Sequence, residues 1–153
     1  MNRAPITAGS AARIDHMGRV YVERRDLPAE LLRLLDVRPA PADCTPPLDI
    51  IETETGMEAV LDVPGVPEAS IEIVFSGNVL VIAGQKLPAA CDHRDAAFHV
   101  AERAFGRFTR AISVEGAFDA GRATASLANG ELRVVLPRLD ERRGGPIRIP
   151  ITR

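Results

Sequence analysis

The chain has 153 residues, of which 46% are hydrophobic and 26% charged, and its formal net charge is −2. This length and apolar content suit one globular domain with an ordinary core and exclude a disordered chain. The slight negative charge and the absence of tryptophan argue against a basic surface that stacks nucleic-acid bases. No apolar run approaches the roughly 18 residues of a transmembrane helix, so membrane spanning is excluded.

The first residues lack the continuous apolar stretch of a signal peptide, and the sequence therefore predicts a cytoplasmic protein. In that compartment Cys44 and Cys91 are expected to be separate reduced thiols. Segments rich in proline and glycine divide the chain into three predicted parts. These are an N-terminal arm (1–46), a central domain (47–137) and a C-terminal extension (138–153).

The N-terminal arm carries one helical pattern, RDLPAELLRLLDV. Asp26 can cap this helix and Pro28 suits its first turn. Four leucines fall on one face at helical spacing: Leu27, Leu31, Leu34 and Leu35. Two roles are open for this amphipathic face. It packs permanently on its own domain, or it joins neighbouring chains and contacts unfolded proteins.

The central part alternates apolar and polar residues with the period of a β-strand. The segments SIEIVF and VLVIAG flank a turn at 76–78 and predict a hairpin. Asn129-Gly130 predicts a second hairpin, whose inward-facing residues are Leu132, Val134 and Leu136. Strands recur every eight to twelve residues without a helical pattern, which predicts an all-β fold, an antiparallel sandwich of about seven to nine strands.

Patterns for catalysis, metals and nucleotides are missing from the sequence. Lys86 is the only lysine and lies in no phosphate-binding loop, so ATP use is not expected. No serine lies in a nucleophile elbow. Cys91, Asp92, His93 and His99 are near one another in the chain, but their spacing fits no standard zinc site. We therefore expect neither enzymatic activity nor a cofactor or bound metal.

Five segments occur together in a characteristic order: PPLDIIETETGMEAVLDVPGV, SIEIVFSGNVLVIAG, FHVAERAFGRFTRAISV, ASLANGELRVVLP and IRIPI. In this order they resemble the small heat-shock proteins with an alpha-crystallin domain, of the bacterial type, over roughly residues 46–151. The resemblance implies an immunoglobulin-like sandwich that forms dimers and larger oligomers. It also implies that the chain keeps unfolding proteins in solution without ATP.

The resemblance further implies a strand exchange between two subunits. Residues 98–104, reached through the loop 85–97, would add a strand to residues 48–53 of the partner subunit. The loop departs from the family pattern because it carries fewer charges. Residues assigned to this dimer contact are Phe98, Val100, Glu102, Arg103 and Arg110.

The C-terminal segment GGPIRIPITR matches the tail that family members dock on a neighbouring chain. Its assigned residues are Ile147, Ile149, Pro150 and Ile151; Ile149 and Ile151 are the preferred docking pair, although Ile147 and Ile149 remain an alternative. If the segment does not dock on a neighbour, it is a last strand of the chain's own sheet or a frayed tail. The resemblance implies a docking groove formed by Ile71, Ile73, Phe75, Ala123, Ala125 and Leu127.

We therefore expect an ATP-independent chaperone whose partners are further copies of itself and unfolded or partly unfolded proteins. An alternative is a β-sandwich docking or co-chaperone module with one specific protein partner. These two functions differ in the number of partners, because a chaperone captures many unrelated apolar segments. A docking module would bind one partner at a fixed stoichiometry.

Overall fold

The computed structural model describes residues 12–14, 20–23, 27, 29–35, 43–88, 93–139 and 147–152. Within these ranges the chain forms ten strands in two antiparallel sheets, one short α-helix and two single-turn 3-10 helices, Glu68–Ser70 and Ala120–Arg122. The elements in chain order are β1 Ala12–Ile14, β2 Val20–Glu23, α1 Ala29–Leu32, β3 Leu48–Thr53, β4 Gly56–Asp62, β5 Glu72–Ser76, β6 Val79–Lys86, β7 Gly106–Ser113, β8 Thr124–Ala128, β9 Glu131–Pro137 and β10 Ile147–Arg148.

The smaller sheet has the strand order β3-β4-β9-β8. Its β8–β9 hairpin turns at Asn129 and Gly130, whose φ angles of 53° and 78° lie in the left-handed region that this tight turn requires. The predicted hairpin is thereby confirmed. The three residues predicted to face inward on β9 are fully buried. The sheet's two edges are β3 and β8.

The larger sheet has the strand order β1-β2-β7-β6-β5-β10. The predicted hairpin at 76–78 is confirmed, since β5 and β6 pair from Glu72↔Ala83 to Ser76↔Val79. Strands β1 and β2 come from the N-terminal arm, where the sequence predicted only a helix. They extend the sheet because β2 pairs with β7 through Val22↔Ser113. The boundary between arm and domain at residue 46 stays a prediction.

The two sheets pack face to face around one apolar core, which confirms the predicted antiparallel sandwich. Strands β3 to β9 supply seven of its strands, as the sequence predicted for the central part. The rings of Phe75 and Phe118 meet edge to face, with 6.2 Å between their centroids. The largest fully buried core side chains include those of Phe108, Met57, Leu61, Ile73, Leu80, Ile82, Leu132 and Leu136.

The outer faces of the two sheets differ in polarity. On the smaller sheet, Arg133 donates hydrogen bonds to Glu58 and Glu131, so this face is charged and solvated. On the larger sheet, five outward side chains of β5, β6 and β7 are apolar and buried beneath the leucine-rich segment that contains helix α1. These outward residues are Val74, Val79, Val81, Ala83 and Ala111. The leucine-rich segment thus forms a third layer on this side of the sandwich.

The described residues contain no helix of the length and apolarity needed to cross a bilayer. Helix α1 has only four residues, Ala29–Leu32, and is shorter than the leucine pattern predicted. The predicted capping residue Asp26 and first-turn residue Pro28 lie outside the described residues. The buried leucines continue beyond the helix because Leu35 is also buried against the sheet.

Candidate interaction surfaces

The C-terminal segment 147–152 closes one open side of the sandwich. Strand β10 pairs antiparallel with β5, at the edge of the larger sheet. Two residues further on, Ile151 forms a parallel bridge to Ala125 on β8, at the edge of the smaller sheet. The segment therefore spans the gap between the two sheets and covers an edge of each. Covered edges do not recruit further strands.

The tail is held by backbone hydrogen bonds and by apolar side chains together. The Ile149 amide donates to the Ile73 carbonyl over 3.0 Å, and the Thr152 amide donates to the Ala125 carbonyl over 2.7 Å. The Ile149 side chain is 3% exposed and belongs to the core. Ile151 is partly buried against the same core, whereas Pro150 is exposed. Alternate residues of this extended segment therefore point inward.

The six residues predicted to form the docking groove all belong to this core or pack against it. Ile71, Ile73, Phe75 and Ala125 are buried, and Ala123 and Leu127 are partly buried. The structure places the chain's own tail between β5 and β8, where it adds a last strand to the chain's own sheet, one of the two alternatives to docking on a neighbour. The side chain of Ile147 lies outside the described residues, although its backbone pairs with Phe75. That a neighbouring chain supplies the tail stays a prediction.

Arg148 connects the tail to two other parts of the molecule. Its guanidinium lies 3.8 Å from a carboxylate oxygen of Glu72 on β5. The same guanidinium donates a hydrogen bond to the carbonyl of Leu34, in the leucine-rich segment. Neither contact can be predicted from the sequence, because the partners are 76 and 114 positions away in the chain. Only the folded edge of the larger sheet brings these partners together.

The four leucines of the arm lie on the outer face of the larger sheet. Leu31 is 2% exposed and Leu35 is 5% exposed, while Leu27 and Leu34 are partly buried against the same cluster. Leu32, on the opposite side of the helix, is 39% exposed. The leucine-rich segment thus covers apolar side chains of its own domain. Contact of these leucines with unfolded proteins stays a prediction.

The segment predicted to exchange between subunits is exposed in the single chain. Residues 93–104 form no strand and are exposed throughout. Phe98 is 85% exposed and Val100 is 73% exposed, which is unusual for large apolar side chains. Glu102 is exposed, and the Arg103 guanidinium lies over the ring of Phe105, 4.8 Å from its centroid. Exchange with a partner stays a prediction.

Arg110 lies on β7 and is 9% exposed. Its guanidinium donates a hydrogen bond to the Pro46 carbonyl, two residues before β3 begins. Close by, the Asp43 carboxylate accepts a hydrogen bond from the Arg107 amide over 3.1 Å. These two contacts fix the chain where it enters β3. Arg110 therefore contacts the segment that leads into the predicted acceptor strand of the dimer.

Two further features concern the thiols and possible metal ligands. Cys44 is a free, buried thiol, and its burial raises the pKa, against a smaller lowering by Lys86. Cys91 and Asp92 lie outside the described residues. His93 and His99 are exposed. Among the residues that the structure describes, no three histidine, cysteine or carboxylate side chains come together in a group suited to a metal ion.

Solved structures with this fold come from several organisms. Heat shock protein 16.0 from Schizosaccharomyces pombe superposes with a TM-score of 0.60 at 25% identity, covering 66% of this chain and 93% of that one. A small heat-shock protein from Xylella fastidiosa, whose structure is described as having a distinct high order structure, superposes with a TM-score of 0.57 at 27% identity. That superposition covers 67% of this chain and 94% of the Xylella chain.

Curated relatives agree with the structural likeness. Small heat shock protein C4 of Rickettsia felis is 30% identical over 105 residues, which cover 69% of this chain and 64% of the relative. The peroxisomal 16.0 kDa heat shock protein of Oryza sativa is 32% identical over 117 residues, covering 69% of this chain and 80% of that protein. The chain thus spans somewhat less than two thirds of the Rickettsia relative. The model of the Hsp20/alpha crystallin family matches residues 49–152, and the chain belongs to this family.

Proposed function

We propose that the chain is an ATP-independent holdase, which binds unfolding proteins and prevents their aggregation. Membership of the Hsp20/alpha crystallin family supports a chaperone role. The observation that carries the proposal is the apolar outer face of the larger sheet, which is covered by a short leucine-rich segment. A surface of this kind binds apolar segments of other proteins once its cover moves away.

The cover on this face is expected to open at modest cost. Complete burial of one leucine contributes roughly 1.5–3 kcal/mol, and two leucines, Leu31 and Leu35, are nearly fully buried. Ordering each residue of the segment costs about 1–2 kcal/mol of backbone entropy. For the seven residues 29–35 this cost is about 7–14 kcal/mol, which the burial of these two leucines alone does not offset. Opening would expose the leucines and the sheet face together, giving two apolar surfaces for an unfolded protein.

We further propose that the functional unit is a dimer formed by strand exchange. The exposed segment with Phe98 and Val100 supplies apolar side chains that lack cover in the single chain. Strand β3 lies at the edge of the smaller sheet, where an additional strand can pair. The buried Arg110 holds the entry to that strand. These features support exchange of residues 98–104 onto the partner subunit's β3.

Larger assemblies would arise if tails dock on neighbouring dimers rather than on their own chain. The groove and the tail form a matched pair within one chain, and the same contacts are available to the tail of a second chain. Many such contacts in one assembly act together, so a weak single contact gives a stable oligomer. Dissociation of the oligomer would then free both the groove and the apolar arms.

The test of holdase activity is the light scattering of an unrelated enzyme that aggregates on heating, in buffer without nucleotide. This protein, added at an equimolar ratio to the enzyme, is expected to suppress the scattering. An inert globular protein at equal mass is not expected to do so. Unchanged scattering at a several-fold molar excess would contradict the proposal. It would favour the alternative of a module with one specific partner.

A second measurement locates the capture surface. A photoreactive amino acid is placed at Leu32, which is exposed beside the apolar face, or at Ser126, which is exposed on β8 of the smaller sheet. Heated client protein is expected to cross-link at position 32 and much less at position 126. Equal cross-linking at both positions would argue against the leucine-covered face as the capture surface.

A further inference from the structure

The docking groove between β5 and β8 is acidic on one wall. A cavity of about 300 Å³ lies beside the tail, and its described lining residues include the carboxylates of Glu68 and Glu72. Arg148 of the tail is the cation among these lining residues. Without the tail, the described groove wall therefore carries two negative charges. Such a wall attracts positively charged segments and repels negatively charged ones.

The tail position between the first two isoleucines lies near two hydrogen-bond acceptors, the Glu72 carboxylate and the Leu34 carbonyl. Arg148 lies 3.8 Å from the carboxylate of Glu72, whose side chain is only 12% exposed. It also donates a hydrogen bond to the Leu34 carbonyl. A carboxylate at this position would face one carboxylate and one carbonyl oxygen, neither of which can donate a proton. A neutral side chain would lack the attraction between Arg148 and Glu72.

We propose that the groove selects its occupant by charge, as well as by the apolar side chains of Ile149 and Ile151. The occupant is the extended tail of another subunit, of this chain or a relative, that carries arginine or lysine between its first two isoleucines. Tails with a carboxylate at that position are discriminated against. This inference rests on the proposed docking of tails between subunits and names the kind of tail that docks.

The charge contribution is expected to be moderate and dependent on salt. The Arg148 side chain is 50% exposed, and ion pairs open to water are worth little individually. Loss of the positive charge is therefore expected to weaken binding about threefold, and its replacement by a negative charge about tenfold. Because the pair is partly exposed, the difference should shrink as salt is added. The isoleucines would supply most of the affinity and the charge would supply selectivity.

The test uses the full chain with Ile149→Gly and Ile151→Gly, so that its own tail no longer fills the groove. Fluorescently labelled peptides of sequence GGPIRIPITR, GGPIQIPITR and GGPIEIPITR are titrated with this protein, and binding is followed by fluorescence anisotropy. The expected order of affinity is arginine, then glutamine, then glutamate, with an approximately tenfold range at low salt. Raising the salt concentration should compress this range.

The reciprocal change is made on the groove. Glu72→Lys should reverse the preference, so that the glutamate peptide binds more tightly than the arginine peptide. Glu72→Gln keeps the size of the side chain and should remove the preference for the arginine peptide over the glutamate peptide. It provides the test if the lysine variant does not fold. Glu115→Lys changes the net charge equally at an exposed site outside the groove lining and is the matched control.

The outcomes separate this inference from the proposed function. Equal binding of all three peptides by the glycine variant would overturn charge selection and leave tail docking intact. An unchanged order of affinities in both Glu72 variants would also overturn it. Failure of every peptide to bind would overturn tail docking, and charge selection with it. Reversal by Glu72→Lys, with the Glu115→Lys control unchanged, would establish the carboxylate as the selecting group.

Discussion

Replacement of both Ile149 and Ile151 by glycine is expected to release the C-terminal segment from the groove. Ile149 is 3% exposed, so its loss removes nearly the full burial energy of an isoleucine, roughly 1.5–3 kcal/mol. Ile151 is partly buried and should contribute about 1 kcal/mol. The backbone hydrogen bonds from Ile149 and Thr152 can still form, but glycine makes the free segment more flexible.

The summed loss of about 2.5–4 kcal/mol corresponds to a decrease of roughly 10²- to 10³-fold in the equilibrium constant for docking of the tail. If tails link dimers, this decrease dissociates the oligomer. Size-exclusion chromatography with multi-angle light scattering is expected to give a dimer for the double variant and a larger mass for the parent. Far-ultraviolet circular dichroism should remain of the β type, because the sandwich is otherwise intact. Leu127→Glu, at a partly buried groove position on β8, should reproduce the result from the groove side.

Thr152→Gly is the control, since it adds a flexible glycine at one tail position without removing a buried side chain. It should retain the parent's mass. A double variant with the parent's mass would refute the reasoning. A parent that is itself a dimer would show that the tail stays on its own chain, where the structure places it.

Two further predictions concern the exposed segment and the buried thiol. Deletion of residues 97–104 is expected to abolish the dimer in native mass spectrometry while the sandwich stays folded, because the exchanged strand is lost. A deletion variant that keeps the mass of a dimer would show that the dimer forms through other residues. In a Cys91→Ser background, Cys44 should react with a thiol reagent at pH 8 at least about tenfold more slowly in the native protein than in urea. The reason is that burial raises the pKa of Cys44, which lowers the thiolate fraction, and also limits access of the reagent. Equal rates would contradict the buried thiol.

The sequence by itself was sufficient for the class of fold and for most of the sandwich. Alternation along β5 and β9 and the turns at 76–78 and Asn129-Gly130 are local signals, and the structure contains both hairpins. The inward residues of β9 could be predicted for the same reason, because each strand buries alternate side chains. The apolar spacing of Leu31 and Leu35 likewise indicated one buried face on the arm.

Tertiary structure decided which surfaces those apolar faces contact. The side chains of Val74 and Val81 point away from the core, to the outer face of the larger sheet. Only the placement of the leucine-rich segment over that face explains why they are apolar. The addition of β1 and β2 to the larger sheet depends on a free edge of β7, far away in the chain. The contact of Arg148 with Glu72 likewise depends on the edge pairing of β10 with β5. Such contacts carry no local signal, because their free energy comes from surfaces that exist only after the sheets have formed.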